Sequence, residues 1–216
     1  AFDINLGCSG FVYGIHICSA LLQSMNQKYA LLITGEADKF QDFMKRENPD
    51  TSNVMMFGDA CTALLLERTE SESIIRTELY GDGSGYKMMI RGGMCRSVDK
   101  SYNATRWSDG LDRSITDPYM DGMGVFGFST REAPKAVSNF LEEGNETIDT
   151  YTTFYFHQAN KMIVERIAKK LHLNMDKVPL SLVKYGNTSS ATIPVTIIDK
   201  LGDEKNNESI QKVLLC

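Results

Sequence analysis

The first fifteen residues, AFDINLGCSGFVYGI at positions 1–15, contain three local structural signals in succession. Alternating residues at 1–6 predict a strand, and the glycines of GCSG at 7–10 predict a tight turn. The apolar residues that follow recur at helical spacing and predict a helix from Ser9 to about residue 26. A strand that leads through a tight turn into a helix is the repeating unit of α/β proteins.

The rest of the chain repeats this alternation. Strands are predicted at 29–34 (a buried one), 60–66, 73–79, 153–156, 180–183 and 212–216. Helices are predicted at 122–143, with Pro134 expected to kink or split it, at 160–171, and at 189–201, with Pro194 in its first turn or at a kink. Residues 81–121 lack periodicity, as is typical of a lid or binding segment. The pattern predicts an α/β fold with mostly parallel pairing.

Composition excludes several classes of protein. The 216-residue chain has 23 Lys and Arg against 28 Asp and Glu, a net charge of −5, with 42% hydrophobic residues. These values exclude disordered, collagen-like and coiled-coil chains and do not favour nucleic-acid binding. The chain contains no apolar run of about 18 residues that would predict a membrane span. Five widely spaced cysteines predict neither zinc nor disulfides and favour a reducing cytosol.

Cys8 lies at the predicted strand-to-helix turn, between Gly7 and Gly10. The positive end of a helix dipole lowers the pKa of a thiol, so this position favours an activated nucleophile. The alternative is a cysteine that merely caps a tight turn.

Two later turns hold polar side chains in the same position. His157, in FHQAN at 156–160, ends one strand and precedes a helix, where it either binds a ligand or caps the helix. Asn187, in YGNTSSA at 185–191, offers an amide donor to an oxyanion or is an ordinary turn residue, with Thr188 or Ser189 as the N-cap. Because strand-to-helix turns meet at one sheet edge, Cys8, His157 and Asn187 are expected to converge, as acyl transfer through a cysteine would require.

Four motifs, AFDINLGCSGFVYGI, MMFGDACTALLL at 55–66, FHQAN and YGNTSSATIP at 185–194, resemble those of the 3-oxoacyl-acyl-carrier-protein synthase III family of thiolase-fold condensing enzymes. The resemblance implies that Cys8 becomes acylated and that its backbone N–H contributes to the oxyanion hole. It also implies that His157 and Asn187 stabilise the enolate formed when a malonyl thioester loses CO₂. Asn187, in YGNTSSATIP, stands where a second His would be in the chain-elongating enzymes, and in this it is similar to the priming enzymes.

The resemblance also implies an architecture. The family fold has two similar β-α-β-α-β-α-β-β halves in a layered α/β/α/β/α arrangement. Residues 1–70 would be the remainder of the first half, with 29–34 and 60–66 as its fourth and fifth strands. Residues 71–216 would be the second half without its last strand. Together with Ala1 at the start of a strand pattern, this predicts a fragment of a longer enzyme.

Other positions are assigned by the same resemblance. Basic residues after the His motif would contact the carrier protein: Lys161, Arg166, Lys169 and Lys170. Asn160, Met162 and Phe126 would line the substrate channel. The chain departs from the family where Met162 and Thr51 replace usual arginines, which favours a different primer or acceptor.

The predicted function is decarboxylative Claisen condensation of an acyl-CoA primer with malonyl-acyl carrier protein, through an acyl-cysteine. The expected protein is a cytoplasmic homodimer that needs no cofactor or metal and binds neither nucleic acid nor membrane. The alternatives are acyl transfer to an oxygen or nitrogen acceptor, in polysaccharide or natural-product biosynthesis, and an inactive fragment.

Overall fold

A computed structural model describes residues 1–37, 56–70, 75–86, 88–90, 119–203 and 212–216 of the chain. They form two compact units, one of Ala1–Leu79 with Ala133–Cys216 and one of Tyr80–Glu132. The sequence-based division at residue 70 stays a prediction. No helix of the described residues is long and apolar enough to cross a membrane.

The N-terminal segment begins the first unit. Residues 1–6 form no strand, so that prediction is wrong. A strand needs a hydrogen-bonded neighbour, and the described part of the chain places none beside this segment. The turn is confirmed as a 3₁₀ turn at Gly7–Ser9, where Gly7 has a φ of +55°, and helix α1 follows at Gly10–Ser24.

Strands β1 (Tyr29–Glu36) and β2 (Ala60–Glu67) confirm two predicted strands. They pair antiparallel, with Leu32 opposite Leu64, so the expectation of parallel pairing is wrong for this pair. Helix α1 packs closely against β1: a Cβ on Gly14 would lie 2.6 Å from a methyl carbon of Leu32. A larger residue at that position would require the Leu32 side chain to move.

Strand β1 is only half buried, contrary to the prediction of a fully buried strand. Leu32 faces the core at 9% exposure, whereas Leu31 and Ile33 are 59% and 63% exposed. Leu65 of β2, opposite Leu31, is 63% exposed as well. In the described residues, α1 and the core cover one face of this two-stranded sheet and leave the other apolar face open.

The core of this unit joins distant parts of the chain. Phe11 and Ile15 of α1 and Leu32 of β1 pack with Tyr155 and Ile193. Tyr155 belongs to β5 (Thr153–Tyr155), which pairs in parallel with β6 (Val213–Leu215). The core therefore fixes the C-terminal elements against the helix that follows Cys8.

Helix α3 (Lys161–Lys170) confirms the predicted amphipathic helix. Its Ile163 and Ile167, with Leu171 just after it, are buried. Asn160 is its N-cap, with Oδ1 accepting a hydrogen bond of 2.9 Å from the Ile163 N–H.

The strand predicted at 180–183 is wrong, because a four-residue helix, α4 (Leu182–Tyr185), occupies the region. The buried amide of Gln158 explains the difference. Its Oε1 accepts from the N–H groups of Ser181 and Leu182, at 2.9 and 3.0 Å, and its Nε2 donates to the Pro179 carbonyl at 2.9 Å. These bonds hold the segment in a turn and occupy N–H groups that a sheet would need.

The last helix, α5 (Thr192–Asp203), follows a 3₁₀ turn at Ser189–Ala191 and has Pro194 in its first turn, as predicted. Helix α2 (Gly122–Glu143) is continuous through Pro134, so the proline does not split the helix. The strand predicted at 73–79 is wrong over its described residues, 75–79, which form no strand.

The second unit contains a 3₁₀ turn at Gly83–Gly85 and a short antiparallel pair, β3 (Met89–Ile90) with β4 (Tyr119–Met120). The first turn of α2 is capped by Asp121, whose Oδ1 accepts from the Gly124 N–H at 2.9 Å. Most of the segment predicted to be a lid, at 81–121, lies outside the described residues, and so do Thr51 and Cys95.

Candidate active site

Cys8 lies in the 3₁₀ turn that precedes α1 and is partly buried. Its Sγ is 3.8 Å from the Oγ of Ser189. Burial raises the pKa of the Cys8 thiol, and hydrogen bonds from Ser189 and from the backbone oppose this rise only in part. The expectation of a lowered pKa is therefore wrong, because desolvation of the thiolate outweighs the stabilisation at the start of the helix.

His157 follows β5 and is held by its backbone and its ring. Its backbone N–H donates to the Cys216 carbonyl at 2.6 Å, which continues the pairing of β5 with β6. Its ring Nδ1 lies 2.7 Å from the Oγ1 of Thr192. Burial lowers the pKa of His157 to about 4, and a hydrogen bond to the backbone of Ser189 opposes this fall in part. The imidazole is therefore neutral at pH 7, with one N–H and one lone pair.

Asn187 is buried and held by the backbone of Met56 and Gly58, at the start of the FGD motif of residues 57–59. Its N–H donates to the Met56 carbonyl at 2.8 Å and its carbonyl accepts from the Gly58 N–H at 2.9 Å. These bonds form a parallel bridge between Phe57 and Asn187. A Cβ on Gly58 would lie 1.9 Å from the Tyr185 carbonyl oxygen, so only glycine fits there.

The Asn187 side chain also forms a hydrogen bond. Its Oδ1 accepts from the Ser189 N–H at 2.9 Å. This bond orients the side-chain amide, and the role of its Nδ2 group as a donor to an oxyanion stays a prediction. Neither Thr188 nor Ser189 is a side-chain N-cap, because the asparagine oxygen serves the turn instead. The buried Oγ1 of Thr188 has no hydrogen-bond partner within the described ranges.

Ser189 joins the three predicted residues. Its hydroxyl contacts Cys8, its N–H binds Asn187 and its backbone hydrogen-bonds the ring of His157. It is buried and has a φ of +52°, a left-handed conformation that is unusual for serine. The turn Ser189–Ala191 therefore brings Cys8, His157 and Asn187 together around one residue.

Sequence reasoning missed Ser189 as this junction and missed Thr192 altogether. Thr192 is 2% exposed, and its Oγ1 also donates to the Ser189 carbonyl at 3.0 Å. A buried threonine at the start of a helix gives no sequence signal that distinguishes a ring partner from ordinary packing.

The remaining predicted site residues have other surroundings. The Asn160 side chain caps α3, and Met162 on that helix is 67% exposed. Phe126 lies in the second compact unit, where its carbonyl accepts from the Thr130 hydroxyl at 2.8 Å. The place of these three residues in a substrate channel stays a prediction.

The four basic residues of α3 are all exposed: Lys161, Arg166, Lys169 and Lys170. Lys161 forms an ion pair of 3.6 Å with Glu165, and Lys169 and Lys170 lie in the last turn. Positive charge at a helix C-terminus is also favourable to the helix itself. The carrier-protein contact stays a prediction.

The arrangement suits acyl transfer. It combines a thiol, a neutral imidazole and an oriented amide, the groups needed for a nucleophile, a proton carrier and an oxyanion donor. Within the residues that the structure covers, no group of three His, Cys, Asp or Glu side chains is placed to hold a metal ion.

Comparison with known families gives two matches. The model for 3-oxoacyl-[acyl-carrier-protein] synthase III matches residues 2–83, and the model for the C-terminal part of the same enzyme matches residues 141–216. Together these two ranges take in Cys8, His157 and Asn187.

Individual relatives bear the same enzyme name as these family models. The beta-ketoacyl-[acyl-carrier-protein] synthase III of Lactobacillus helveticus is 34% identical over 210 residues, covering 95% of this chain and 60% of the relative. That of Clostridium beijerinckii is 34% identical over 215 residues, covering 99% and 60%. The crystal structure of the Thermus thermophilus enzyme covers all of this chain and 63% of its own, with 26% identity and a TM-score of 0.81.

The chain thus spans about 60% of the length of the curated relatives it matches. Its similarity in sequence and in structure confirms the thiolase-like fold and the resemblance inferred from the four motifs. The chain belongs to the 3-oxoacyl-[acyl-carrier-protein] synthase III family.

Proposed function

We propose that this chain carries the catalytic groups of a condensing enzyme that joins an acyl-CoA primer to malonyl-acyl carrier protein through an acyl-cysteine. The observation that supports it best is the junction at Ser189, which contacts Cys8, His157 and Asn187. The relatives named above bear the name of this enzyme.

The first step is self-acylation. The Cys8 sulfur attacks the thioester carbonyl of acyl-CoA, and the backbone N–H of Cys8 donates to the developing oxyanion. Because the pKa of Cys8 is raised, the thiol needs a base, and neutral His157 is the nearby group able to accept its proton. The carbon–sulfur bond to coenzyme A breaks, and the leaving thiolate takes that proton, giving acyl-Cys8 and free coenzyme A.

The second step is condensation. The malonyl thioester loses CO₂, and the electron pair of the broken bond forms an enolate on the thioester. The Asn187 Nδ2 group and the imidazole N–H donate to the enolate oxygen. The enolate carbon attacks the acyl carbonyl, and the Cys8 sulfur leaves as the thiolate. A fixed, buried Asn187 supports this role, because its amide needs no reorganisation during the step.

The carrier protein would contact the outer face of α3. All four basic residues there are exposed, and carrier proteins of this class are acidic, so the charges are complementary. A homodimer and a cytoplasmic location belong to the same proposal. Acyl transfer to an oxygen or nitrogen acceptor is the second candidate, favoured by exposed Met162 where the family has an arginine.

Mass spectrometry after incubation with an acyl-CoA tests the proposal. We expect one acyl adduct in the wild type and none in Cys8→Ala. Cys61→Ala is the matched control, because Cys61 is a free and exposed cysteine outside the site. An adduct that persists in Cys8→Ala and disappears in Cys61→Ala would refute the assignment. Acyl transfer to an oxygen or nitrogen acceptor without release of CO₂ would favour the second candidate.

A further inference from the structure

Thr192 contacts the Nδ1 edge of the His157 ring. The Oγ1 of Thr192 lies 2.7 Å from Nδ1 of His157, within the range of a short hydrogen bond. Thr192 is buried in the first turn of α5, where a threonine side chain has few rotamers. Its contact therefore fixes Nδ1, whereas Nε2 is the ring nitrogen that Thr192 does not hold; the ring also hydrogen-bonds the backbone of Ser189.

The surroundings of Thr192 are fixed in turn. Its carbonyl accepts from the Thr196 hydroxyl at 2.7 Å, one helical turn later. The Thr196 Oγ1 also lies 2.7 Å from the Ser181 Oγ and accepts from Gln158 Nε2 at 3.1 Å. Gln158 is the residue next to His157, so this buried network connects the ring partner back to the strand that presents the histidine.

The Thr192 hydroxyl can support either neutral form of the ring. When its single hydrogen points to the Ser189 carbonyl, 3.0 Å away, the hydroxyl oxygen accepts from Nδ1–H and Nε2 carries a lone pair. When the hydrogen points to Nδ1 instead, Nε2 carries the proton. The Ser189 carbonyl keeps a partner in both cases, because it also accepts from the Thr192 backbone N–H.

We propose that Thr192 is the positioning residue of His157: it holds the ring by Nδ1 and, by rotating its hydroxyl, lets Nε2 act as acceptor or as donor. The inference rests on the proposed function, which needs an acceptor when Cys8 is acylated and a donor when the enolate forms. Between the two steps Nδ1 releases its proton to solvent and Nε2 takes one from solvent, so the change of tautomer consumes no net proton. The hydroxyl supplies no proton to the products and only changes its hydrogen-bond partner.

Two variants of similar shape separate this role from packing. Thr192→Val keeps the branched shape and removes the hydroxyl, whereas Thr192→Ser keeps the hydroxyl and removes a methyl group. We expect Thr192→Val to lower kcat for condensation about ten- to a hundredfold, as expected for a ring nitrogen left without its partner, with little change in KM for acyl-CoA. Thr192→Ser should stay within about threefold of wild type.

A spectroscopic measurement tests the contact independently of activity. The ¹⁵N shifts of the His157 ring at pH 7 report which nitrogen carries the proton, and His157→Gln identifies the signals among the three histidines of the chain. We expect the shifts to change in Thr192→Val and to stay near wild type in Thr192→Ser. Unchanged ring shifts in Thr192→Val, or equal loss of kcat in both variants with retained melting temperature, would overturn the inference. If the wild type forms no acyl-enzyme, the proposed function fails while the ring shifts still decide the role of Thr192.

Discussion

Gly58→Ala should break the Asn187 clamp, which is the pair of backbone hydrogen bonds that Asn187 makes with Met56 and Gly58. We expect this change to impair condensation more than self-acylation. The added Cβ would lie 1.9 Å from the Tyr185 carbonyl oxygen and 3.1 Å from its carbon. Carbon and oxygen atoms in weak contact are about 3.3 Å apart or more, so one backbone segment must move by about 1.4 Å. Both Tyr185 atoms belong to the backbone, so a change of side-chain rotamer cannot relieve the contact.

The loss of stability follows from the hydrogen bonds that this movement breaks. Asn187 makes two of them, with Met56 and with Gly58, and each is worth about 1 kcal/mol. Residual overpacking adds about 1–3 kcal/mol. We expect Gly58→Ala to lower the free energy of unfolding by about 3–5 kcal/mol in urea denaturation.

The functional result should be specific. In the proposed mechanism condensation depends on the position of the Asn187 amide and self-acylation depends on Cys8, so the ratio of condensation to self-acylation should fall at least about tenfold. Gly127→Ala is the control, because a Cβ there meets no described atom within 4 Å and alanine stabilises the helix by roughly 0.5–1 kcal/mol relative to glycine. A Gly58→Ala protein with wild-type stability and an unchanged ratio would refute the proposed clamp.

Three further outcomes are expected. Asn187→Ala should retain acyl-Cys8 formation by mass spectrometry and lose condensation about a hundredfold, and equal loss of both would argue against its role in the enolate step. The folded-state pKa of His157 is lowered to about 4, so the unfolded chain binds more protons between that value and its normal pKa near 6.5. Stability should therefore rise with pH across this window by about 3 kcal/mol, and this contribution should reach its full value above it. A His157→Gln protein that keeps the same dependence in pH-stepped denaturation would contradict this. Lys169→Glu with Lys170→Glu should raise the KM for the carrier protein several-fold at low salt and leave self-acylation unchanged, and an unaltered KM would identify these residues as ordinary surface charges.

Local sequence patterns predicted the elements whose signals are self-contained. The turn at Gly7–Ser9, helix α1 and helix α3 follow from glycine placement and apolar spacing along a short stretch. The same patterns were wrong at residues 1–6 and 180–183. Whether an extended apolar stretch becomes a strand depends on a partner elsewhere in the chain, and at 180–183 the Gln158 amide binds the N–H groups first.

The candidate site, too, could be predicted only in part from the sequence. The sequence suggested Cys8, His157 and Asn187 by their residue types and by their positions before predicted helices. A thiol, an imidazole and an amide have distinct chemistries, and each can be read directly from the residue type. The pKa of Cys8 was predicted with the wrong sign, because burial depends on what packs over the thiol and not on the turn that presents it.

The sequence alone therefore predicted the family and the order of the elements in the confirmed segments, and it proposed the three residues of the candidate site. Only the tertiary structure decided that Ser189 joins those groups, that Thr192 contacts the ring of His157 and that Gly58 holds Asn187 in place. Each of these contacts connects residues far apart in the chain or depends on a backbone conformation set by distant packing. Such contacts produce no periodic pattern or fixed spacing in a single sequence, whereas a cysteine, a histidine or an asparagine can be read from the sequence directly.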